Sequence, residues 1–123
     1  RDFCLSRGLG DVYKRQRQDH DNSRTKDTSE DTIVACAVAF CETVKAAGYV
    51  PMFYASPSKA YTLDMEYLTG YPFWLAHYTR DQAPSSYRYT FDIWQYSSSW
   101  AVPGIEGNVD VNICLTPDWS VWR

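Results

Sequence analysis

Long apolar runs, clustered basic residues and histidine are all scarce in this sequence of 123 residues. No stretch approaches the roughly 18 consecutive apolar residues that a membrane-spanning helix requires, so we expect no membrane partner. Lysine and arginine number 12 against 15 aspartates and glutamates, which gives a formal net charge of -3. Because phosphate binding requires clustered basic side chains, we expect no nucleic-acid partner either.

The first 16 residues differ in character from the rest of the sequence. Residues 6–16, SRGLGDVYKRQ, resemble the in-frame translation of a transposon adaptor that is used to prepare sequencing libraries. We interpret residues 1–16 as a disordered artefact and residues 17–123 as natural; a natural basic arm is the alternative. Residues 1–16 hold four basic and two acidic side chains, so the formal charge without them moves from -3 to -5. A chain that begins in mid-sequence carries no information about an export signal.

Several common site signatures are missing as well. The sequence has four cysteines, of which three lie beyond residue 16, and it contains no CxxC pair. Neither a disulfide framework nor a zinc site is therefore indicated. Cys36 and Cys41 lie about 140° apart around a predicted helix, and we interpret both as small buried apolar residues. A GxSxG elbow is absent, and GLGDVYKRQ lacks the spacing of a phosphate-binding loop, so we expect no metal and no cofactor.

The hydrophobic pattern predicts an α/β domain of at least one helix and four short strands. Apolar residues recur at helical spacing from Ile33 to Val44, after a capping-box-like pair of Thr28 and Asp31, and Gly48 closes the helix. A further helical turn or two is predicted in DMEYLTG. Continuously apolar strands favour a buried, parallel sheet. The predicted strands are residues 49–55, 73–78, 89–97 and 108–114.

Three of these strands end in polar or aromatic residues that lead into irregular loops: YASPSK, LAHYTR and WQYSSSW. In parallel α/β folds ligands bind beyond the carboxyl ends of the strands, so the pattern predicts a binding site at that edge. The same pattern fits a β/α barrel and an open doubly wound sheet.

Asp110 is the acidic residue with the most informative position. Strand alternation places Val109 and Val111 on one face and Asp110 with Asn112 on the other, roughly 7 Å apart. A carboxylate on the inner face of a sheet costs free energy unless it is hydrogen-bonded, so an acid in that place indicates function. The alternative is an edge strand with two polar residues facing solvent.

Aromatic residues make up 16% of the sequence and concentrate near the predicted strand ends. There they either stack on sugar faces or fill the core. We interpret His77 as a structural or sugar-contacting residue rather than a base. Asp19, His20 and Asp21 form a DxD-like triple, but the preceding KRQRQ cannot form a strand that would hold catalytic acids rigidly. The aromatic candidates are Tyr54, Trp74, Tyr78, Trp94 and Tyr96.

Three segments of the sequence, in their order along the chain, resemble the sequence of a known family. The segments AFCETVKAAGYVPMFYAS, YPFWLAHY and FDIWQYSSSWAVPGIEGNVDVN, between Thr28 and Ile113, are similar to the C-terminal half of glycoside hydrolase family 25, the lysozymes or muramidases of bacteria and phages. The resemblance implies the C-terminal part of a distorted, TIM-like β/α barrel that is incomplete here. It also implies hydrolysis of the β-1,4 bond between N-acetylmuramic acid and N-acetylglucosamine in peptidoglycan.

The resemblance assigns roles to individual residues. Asp110 matches the family's late active-site aspartate in its VDxN motif, which also contains Asn112. The remaining matched positions line or border the sugar groove. The partner implied is a peptidoglycan glycan strand, met outside the cell or in the cell wall by a monomeric enzyme. The residues of this second group are Tyr54, Trp74, Tyr78 and Trp94.

The sequence also departs from the family pattern. The family's first aspartate and its D-x-E motif, whose glutamate donates the proton, have no convincing copy here, whereas glycosidases ordinarily use two carboxyl groups. A barrel of the usual kind takes about 250 residues, and residues 17–123 amount to 107. We therefore expect an exposed sheet edge, marginal stability and no hydrolysis by this chain alone. A non-catalytic carbohydrate-binding module and a degenerate structural remnant are the alternatives.

Overall fold

The computed structural model describes residues 27–117, which form an α/β unit with one long helix and a four-stranded sheet. The predictions for residues 1–16 and for Asp19, His20 and Asp21 concern residues outside this range. The elements are α1 (Glu30–Ala46), β1 (Phe53–Ala55), α2 (Pro57–Ala60), a 3-10 helix (Met65–Leu68), β2 (Phe73–Ala76), a second 3-10 helix (Arg80–Gln82), β3 (Ile93–Trp100) and β4 (Val109–Cys114).

Helix α1 begins one residue later than the capping pattern suggested. Ser29 rather than Thr28 is the N-cap, and its hydroxyl oxygen accepts a 3.3 Å hydrogen bond from the Thr32 amide. This bond satisfies one of the amide groups that lack a partner at the start of any helix. Glu30 and Asp31 follow in the first turn, where negative charge is favourable.

The end of α1 confirms the role predicted for Gly48. Its φ of 86° lies in the left-handed region. The Gly48 amide bonds to the Lys45 carbonyl and the Tyr49 amide to the Val44 carbonyl. These two bonds form a Schellman motif, which satisfies carbonyl groups of the last turn and directs the chain toward β1.

The buried face of α1 holds only one of the two cysteines that we expected to find there. Cys41 is fully buried, together with Val34, Ala37 and Val44. Burial raises the pKa of the Cys41 thiol, and the negative charge of Glu42 adds to the effect. Cys36 is exposed, so that half of the prediction is wrong. Five residues of helix rotate the side chain by about 140°, which carries Cys36 away from the sheet.

The sheet has the strand order β1-β2-β3-β4. Strands β1, β2 and β3 are parallel, which confirms the predicted parallel arrangement, whereas β4 runs antiparallel to β3. Residues 101–108 connect the last two strands, with Gly104 and Gly107 at φ values of 87° and 89°. Within residues 27–117 the sheet is open, with β1 and β4 at its edges, and these strands do not close a barrel.

One face of the sheet carries the hydrophobic core. Ala55 and Leu75 are completely buried, and Phe53 and Phe73 pack with their rings 5.6 Å apart. Full burial of such a side chain contributes about 1.5–3 kcal/mol, so this layer holds the strands to the helix. No helix within the described range is long and apolar enough to cross a membrane. The core cluster consists of Val34, Ala37, Phe53, Ala55, Ala60, Leu63, Leu68, Phe73, Leu75 and Tyr87.

Candidate functional site

The face of the sheet opposite the core carries most of the predicted site residues. Because side chains alternate along a strand, Tyr54 lies on the opposite face from Phe53 and Ala55. The register pairs Tyr54 with Trp74 of β2. It also pairs Gln95 of β3 with Asn112 of β4, so that polar and aromatic groups from four strands share this face. We refer to the face carrying Tyr54, Trp74, Gln95, Asp110 and Asn112 as the polar face.

Gln95 joins the carboxyl ends of the parallel strands. Its side-chain oxygen Oε1 accepts a 2.7 Å hydrogen bond from the Tyr54 hydroxyl and another of 2.7 Å from the Tyr78 hydroxyl. Tyr54 lies on β1 and Tyr78 follows β2 by two residues. The structure thus brings together two aromatic residues that the strand-end argument had assigned to one edge.

Sequence reasoning missed Gln95 itself, although it is completely buried. The available signal was a long polar side chain in the middle of the apolar strand sequence IWQY. Buried polar groups are normally hydrogen-bonded, so a glutamine inside such a strand indicates a specific partner. The tyrosines that meet it lie 17 and 41 positions away, and no local pattern identifies them.

Trp74 and Asn112 extend the polar face toward β4. The Trp74 indole N–H donates a 2.8 Å hydrogen bond to Oδ1 of Asn112. The ring of Trp74 also meets the ring of Tyr54 edge-on, with centroids 4.9 Å apart and an interplanar angle of 69°. Three of the predicted substrate-binding residues therefore form one connected group.

Asp110 is half-buried on β4, two residues before Asn112. Its neighbours Val109 and Val111 pair with Trp100 and Ser97 of β3. Strand alternation then places the Asp110 side chain on the same face as that of Asn112. Strand alternation accordingly assigns the carboxylate to the polar face of the sheet rather than to the core side.

Trp94 is separated from this group. The register pairs it with Leu75 of the core and with Ile113, so its side chain leaves β3 on the face opposite Gln95. Its indole N–H donates a 2.9 Å hydrogen bond to the backbone carbonyl of His77. A neighbouring ring, Tyr96, lies 5.9 Å from it. Among the aromatic candidates Trp94 thus contacts Tyr96 and lies on the face opposite Tyr54 and Trp74.

His77 lies just beyond β2. Its Nδ1 is 2.8 Å from the Ser85 hydroxyl, so the ring holds the following loop in place. Its amide also bonds to the Gln95 carbonyl, which continues the pairing of β2 with β3. These contacts agree with a structural role for His77.

Asp92 is a second residue that sequence reasoning missed, at the opposite end of β3. One carboxylate oxygen accepts a 2.8 Å hydrogen bond from the Phe73 amide, and the other accepts a 3.3 Å bond from the Thr116 hydroxyl. Asp92 therefore joins the start of β2 to the segment after β4. Its position at the amino end of the strands marks it as a structural acid rather than a catalytic one.

The residues from 27 to 117 contain no group of three or more histidine, cysteine or acidic side chains that could hold a metal ion. The polar face, together with Tyr78 beyond β2, carries one carboxylate, two phenols, one indole and two carboxamides. Such a set matches neutral, hydroxyl-rich ligands with flat apolar faces, as saccharides are.

Comparison with known proteins identifies the family. Residues 12–105 match the model of Glycosyl hydrolases family 25. The chain belongs to this family. The matched range includes Tyr54, Trp74, Tyr78 and Trp94, ends before Asp110, and begins inside the segment interpreted as adaptor-derived.

Individual relatives match only part of the chain. The uncharacterized protein YegX of Escherichia coli, in strains O157:H7 and K12, is 33% identical over 69 residues, which are 56% of this chain and 25% of YegX. The chain thus spans about a quarter of the length of the curated relatives it matches.

A solved structure resembles its fold. The CTP1L endolysin, whose activity is described as regulated by a secondary translation product, superposes with a TM-score of 0.51 at 24% identity. The superposition covers 63% of this chain and 28% of the endolysin chain. At this level of identity the likeness concerns the fold alone.

Proposed function

We propose that this chain is the C-terminal part of the catalytic domain of an N-acetylmuramidase. The parent enzyme would cleave the β-1,4 bond between N-acetylmuramic acid and N-acetylglucosamine in peptidoglycan. Family membership supports the reaction class. The observation that carries the proposal is the polar face, where Tyr54, Trp74, Gln95 and Asn112 from four neighbouring strands are joined by hydrogen bonds and an edge-on ring contact. Strand alternation assigns Asp110 to the same face.

Asp110 is the catalytic residue of this proposal. A carboxylate on the same face as sugar-sized aromatic groups can accept a proton from an attacking water, or it can orient the acetamide of the substrate. Glycosidases of the common type need a second carboxyl group that is held protonated and donates to the leaving oxygen. In the family pattern that group belongs to the upstream D-x-E motif, of which this sequence has no convincing copy.

The aromatic residues divide into two roles. Tyr54, Trp74 and Tyr78 contact the sugar, and Asn112 holds the Trp74 ring in place through its 2.8 Å hydrogen bond. Trp94 acts from the opposite face, where it fixes the carbonyl of His77 and thereby the end of β2. The family resemblance implied that Trp94 lines or borders the sugar groove. In this proposal Trp94 does not touch the sugar and instead supports the end of β2.

The chain alone is proposed to be inactive but able to bind glycan. Among residues 27–117 the sheet is open and Asp110 is the one carboxylate assigned to the polar face, and one carboxylate cannot supply both the acid and the base. Clearing of purified bacterial cell walls, followed by turbidity, tests the first part, and clear lysis by the 123-residue chain would contradict it. Sedimentation of the chain with the same walls tests the second part.

A non-catalytic carbohydrate-binding module is the second candidate, because the polar face combines several aromatic rings with a single acid. The two candidate functions can be distinguished with a longer protein, translated from a reading frame that includes the upstream strands. If that protein is a muramidase, it lyses walls, and its Asp110→Asn variant loses lysis but still sediments with walls. A binding module shows wall binding without any lysis.

A further inference from the structure

Asn112 lies on β4 with its side chain exposed on the polar face. Its Oδ1 accepts the 2.8 Å hydrogen bond from the indole N–H of Trp74, which lies 38 positions earlier in the chain. An indole N–H can only donate, so the carboxamide has to present its oxygen, and not its nitrogen, to Trp74. The bond that holds the indole ring therefore also fixes the orientation of the Asn112 carboxamide.

The nitrogen of this carboxamide is directed away from the indole. Oxygen and nitrogen are the two branches of one planar group, so Nδ2 lies on the side of Asn112 that does not face Trp74. Nδ2 carries two N–H donors and no acceptor. Within residues 27–117 no side chain or carbonyl group accepts a hydrogen bond from Nδ2. Because Asn112 is exposed, both donors can reach a bound molecule.

We propose that Trp74 is a positioning residue that directs the N–H groups of Asn112 toward the acetamido carbonyl oxygen of an N-acetylated sugar. A donor that has no acceptor function complements a carbonyl oxygen, which only accepts, better than a sugar hydroxyl, which also donates. Asn112 is then a substrate-binding residue that distinguishes N-acetylated sugars from plain ones. This inference rests on the proposed function and names the group of the sugar that the site recognises.

The other acceptor that peptidoglycan offers is the lactyl carboxylate of N-acetylmuramic acid. Binding sites typically meet a carboxylate with a basic side chain, which forms a stronger, charge-assisted hydrogen bond. The five residues that define the polar face include no lysine or arginine. The neutral acetamido carbonyl is therefore the group that fits Asn112.

The experiment measures the binding of three disaccharides to the 123-residue chain by ligand-observed NMR. Chitobiose carries acetamido groups, and cellobiose has hydroxyls in their place. The disaccharide of N-acetylglucosamine and N-acetylmuramic acid differs from chitobiose by the lactyl group. The wild-type chain binds chitobiose about tenfold more tightly than cellobiose, as expected for one added hydrogen bond. The ratio of these two dissociation constants is the acetamido preference.

Two variants separate the donor from the residue that orients it. Asn112→Asp keeps an oxygen for Trp74 but has no N–H groups, so the acetamido preference falls about tenfold, to near equality. Trp74→Phe keeps an aromatic ring but has no N–H, so the Asn112 carboxamide loses its orientation and the preference falls as well. Asn108→Asp makes the same change of charge at an exposed position directly before β4 and leaves the preference unchanged.

A spectroscopic signature accompanies the binding data. In a heteronuclear NMR spectrum of the wild-type chain, the side-chain N–H signals of Asn112 shift when chitobiose is added and stay in place with cellobiose. In the Trp74→Phe chain, chitobiose shifts these signals less. Signals that respond equally to both disaccharides would overturn the inference, and this measurement decides it even if Asn112→Asp does not fold.

The remaining outcomes also decide the inference. An unchanged acetamido preference in either Asn112→Asp or Trp74→Phe would overturn it. A loss of binding in Asn112→Asp that is confined to the lactyl-bearing disaccharide would overturn the assignment to the acetamido carbonyl. If the wild-type chain binds none of the three disaccharides, the inference fails, whereas wall lysis by the longer protein and its loss in Asp110→Asn would leave the proposed function standing.

Discussion

The Tyr54 hydroxyl donates a 2.7 Å hydrogen bond to Oε1 of Gln95, which lies 41 positions later in the chain. The bond spans β2, since Tyr54 lies on β1 and Gln95 on β3. It requires that the three parallel strands are in register and that both side chains leave the sheet on the same face. Formation of this one hydrogen bond therefore indicates that the strands of the polar face are correctly paired.

Substitution of the proposed catalytic carboxylate tests the mechanism. In a reading frame that includes the upstream strands, Asp110→Asn decreases the rate of wall lysis by about 10²–10⁴-fold, as expected for loss of a general base or acid. Wall binding changes little, because asparagine has nearly the same shape. Turbidity gives the rate, and sedimentation with walls gives the binding.

A matched control for this variant is Asp81→Asn. Asp81 is exposed and has a φ of 52°, a left-handed conformation that asparagine also adopts readily. The same change of charge at this position leaves lysis within a factor of two or so of the wild-type rate. An equal loss of lysis in both variants would argue that the effect of Asp110→Asn is one of net charge.

Gly48→Ala tests the end of helix α1. The φ of 86° disfavours any residue with a Cβ, and no atom lies within 4 Å of the added Cβ, so the cost is backbone strain alone. The free energy of unfolding in urea decreases by about 1–2 kcal/mol. Gly70→Ala, where the added Cβ also meets nothing, is the control and has a neutral or slightly stabilising effect.

Leu75→Ala tests the core layer beneath the polar face. Leu75 is completely buried among residues of β1, β2 and the helices. Its truncation decreases the free energy of unfolding by about 2–5 kcal/mol, through lost burial and the cavity that remains. Leu115→Ala is the matched control, since Leu115 is 50% exposed, and its effect stays below about 1 kcal/mol. Similar effects of the two variants in urea unfolding would contradict the assigned core.

Asp92→Ala tests the link between the start of β2 and the end of β4. The substitution leaves the Phe73 amide without its 2.8 Å acceptor, at a cost of about 1–3 kcal/mol. Asp92→Asn keeps an oxygen in the same place and recovers most of that stability. Urea unfolding of the two variants measures the difference, and an Asp92→Asn chain as unstable as Asp92→Ala would argue for a role of the charge itself.

Tyr71 provides a prediction about alkaline pH. Its hydroxyl donates a hydrogen bond to the Glu42 carboxylate, and this bond, with additional effects of burial and of the Glu42 charge, raises the pKa of Tyr71 from 10.0 to about 12. The folded state favours the protonated phenol, so its contribution to stability is complete below pH 10. That contribution is lost as the pH rises to about 12.

Glu42→Gln removes the negative charge and lowers the pKa of Tyr71 toward its ordinary value. Tyrosinate absorbance, measured as the difference between each chain and its Tyr71→Phe counterpart, isolates this one group among the ten tyrosines. An unchanged Tyr71 titration in Glu42→Gln would show that the carboxylate is not the cause of the shift.

Local elements followed from the residue pattern. The period of the apolar residues predicted α1, and Gly48 predicted its end, because the left-handed conformation at that point favours glycine. The alternation of Val109, Asp110 and Val111 likewise predicted which side chains of β4 share a face, since the pleat of a strand reverses direction at every residue. The family resemblance rested on the same strands and motifs.

Other features depended on contacts between distant parts of the chain. The partners of Gln95 and Asp92 could not be predicted, because a hydrogen bond between strands depends on register, which no single strand encodes. The position of Trp94 was set in the same way, by its pairing with Leu75 on the core face. The sequence pattern predicted that Cys36 and Cys41 are both buried. The orientation of α1 against the sheet buries Cys41 and leaves Cys36 exposed.

The sequence by itself determined that one long helix and four strands form and roughly where, since spacing and turn residues act within a few positions of each other. Strands β1 and β3 nevertheless begin four residues later than predicted, and the short helix Pro57–Ala60 was not predicted. Only the tertiary structure decided which side chains meet on the polar face, because strand order and register bring together residues up to 41 positions apart.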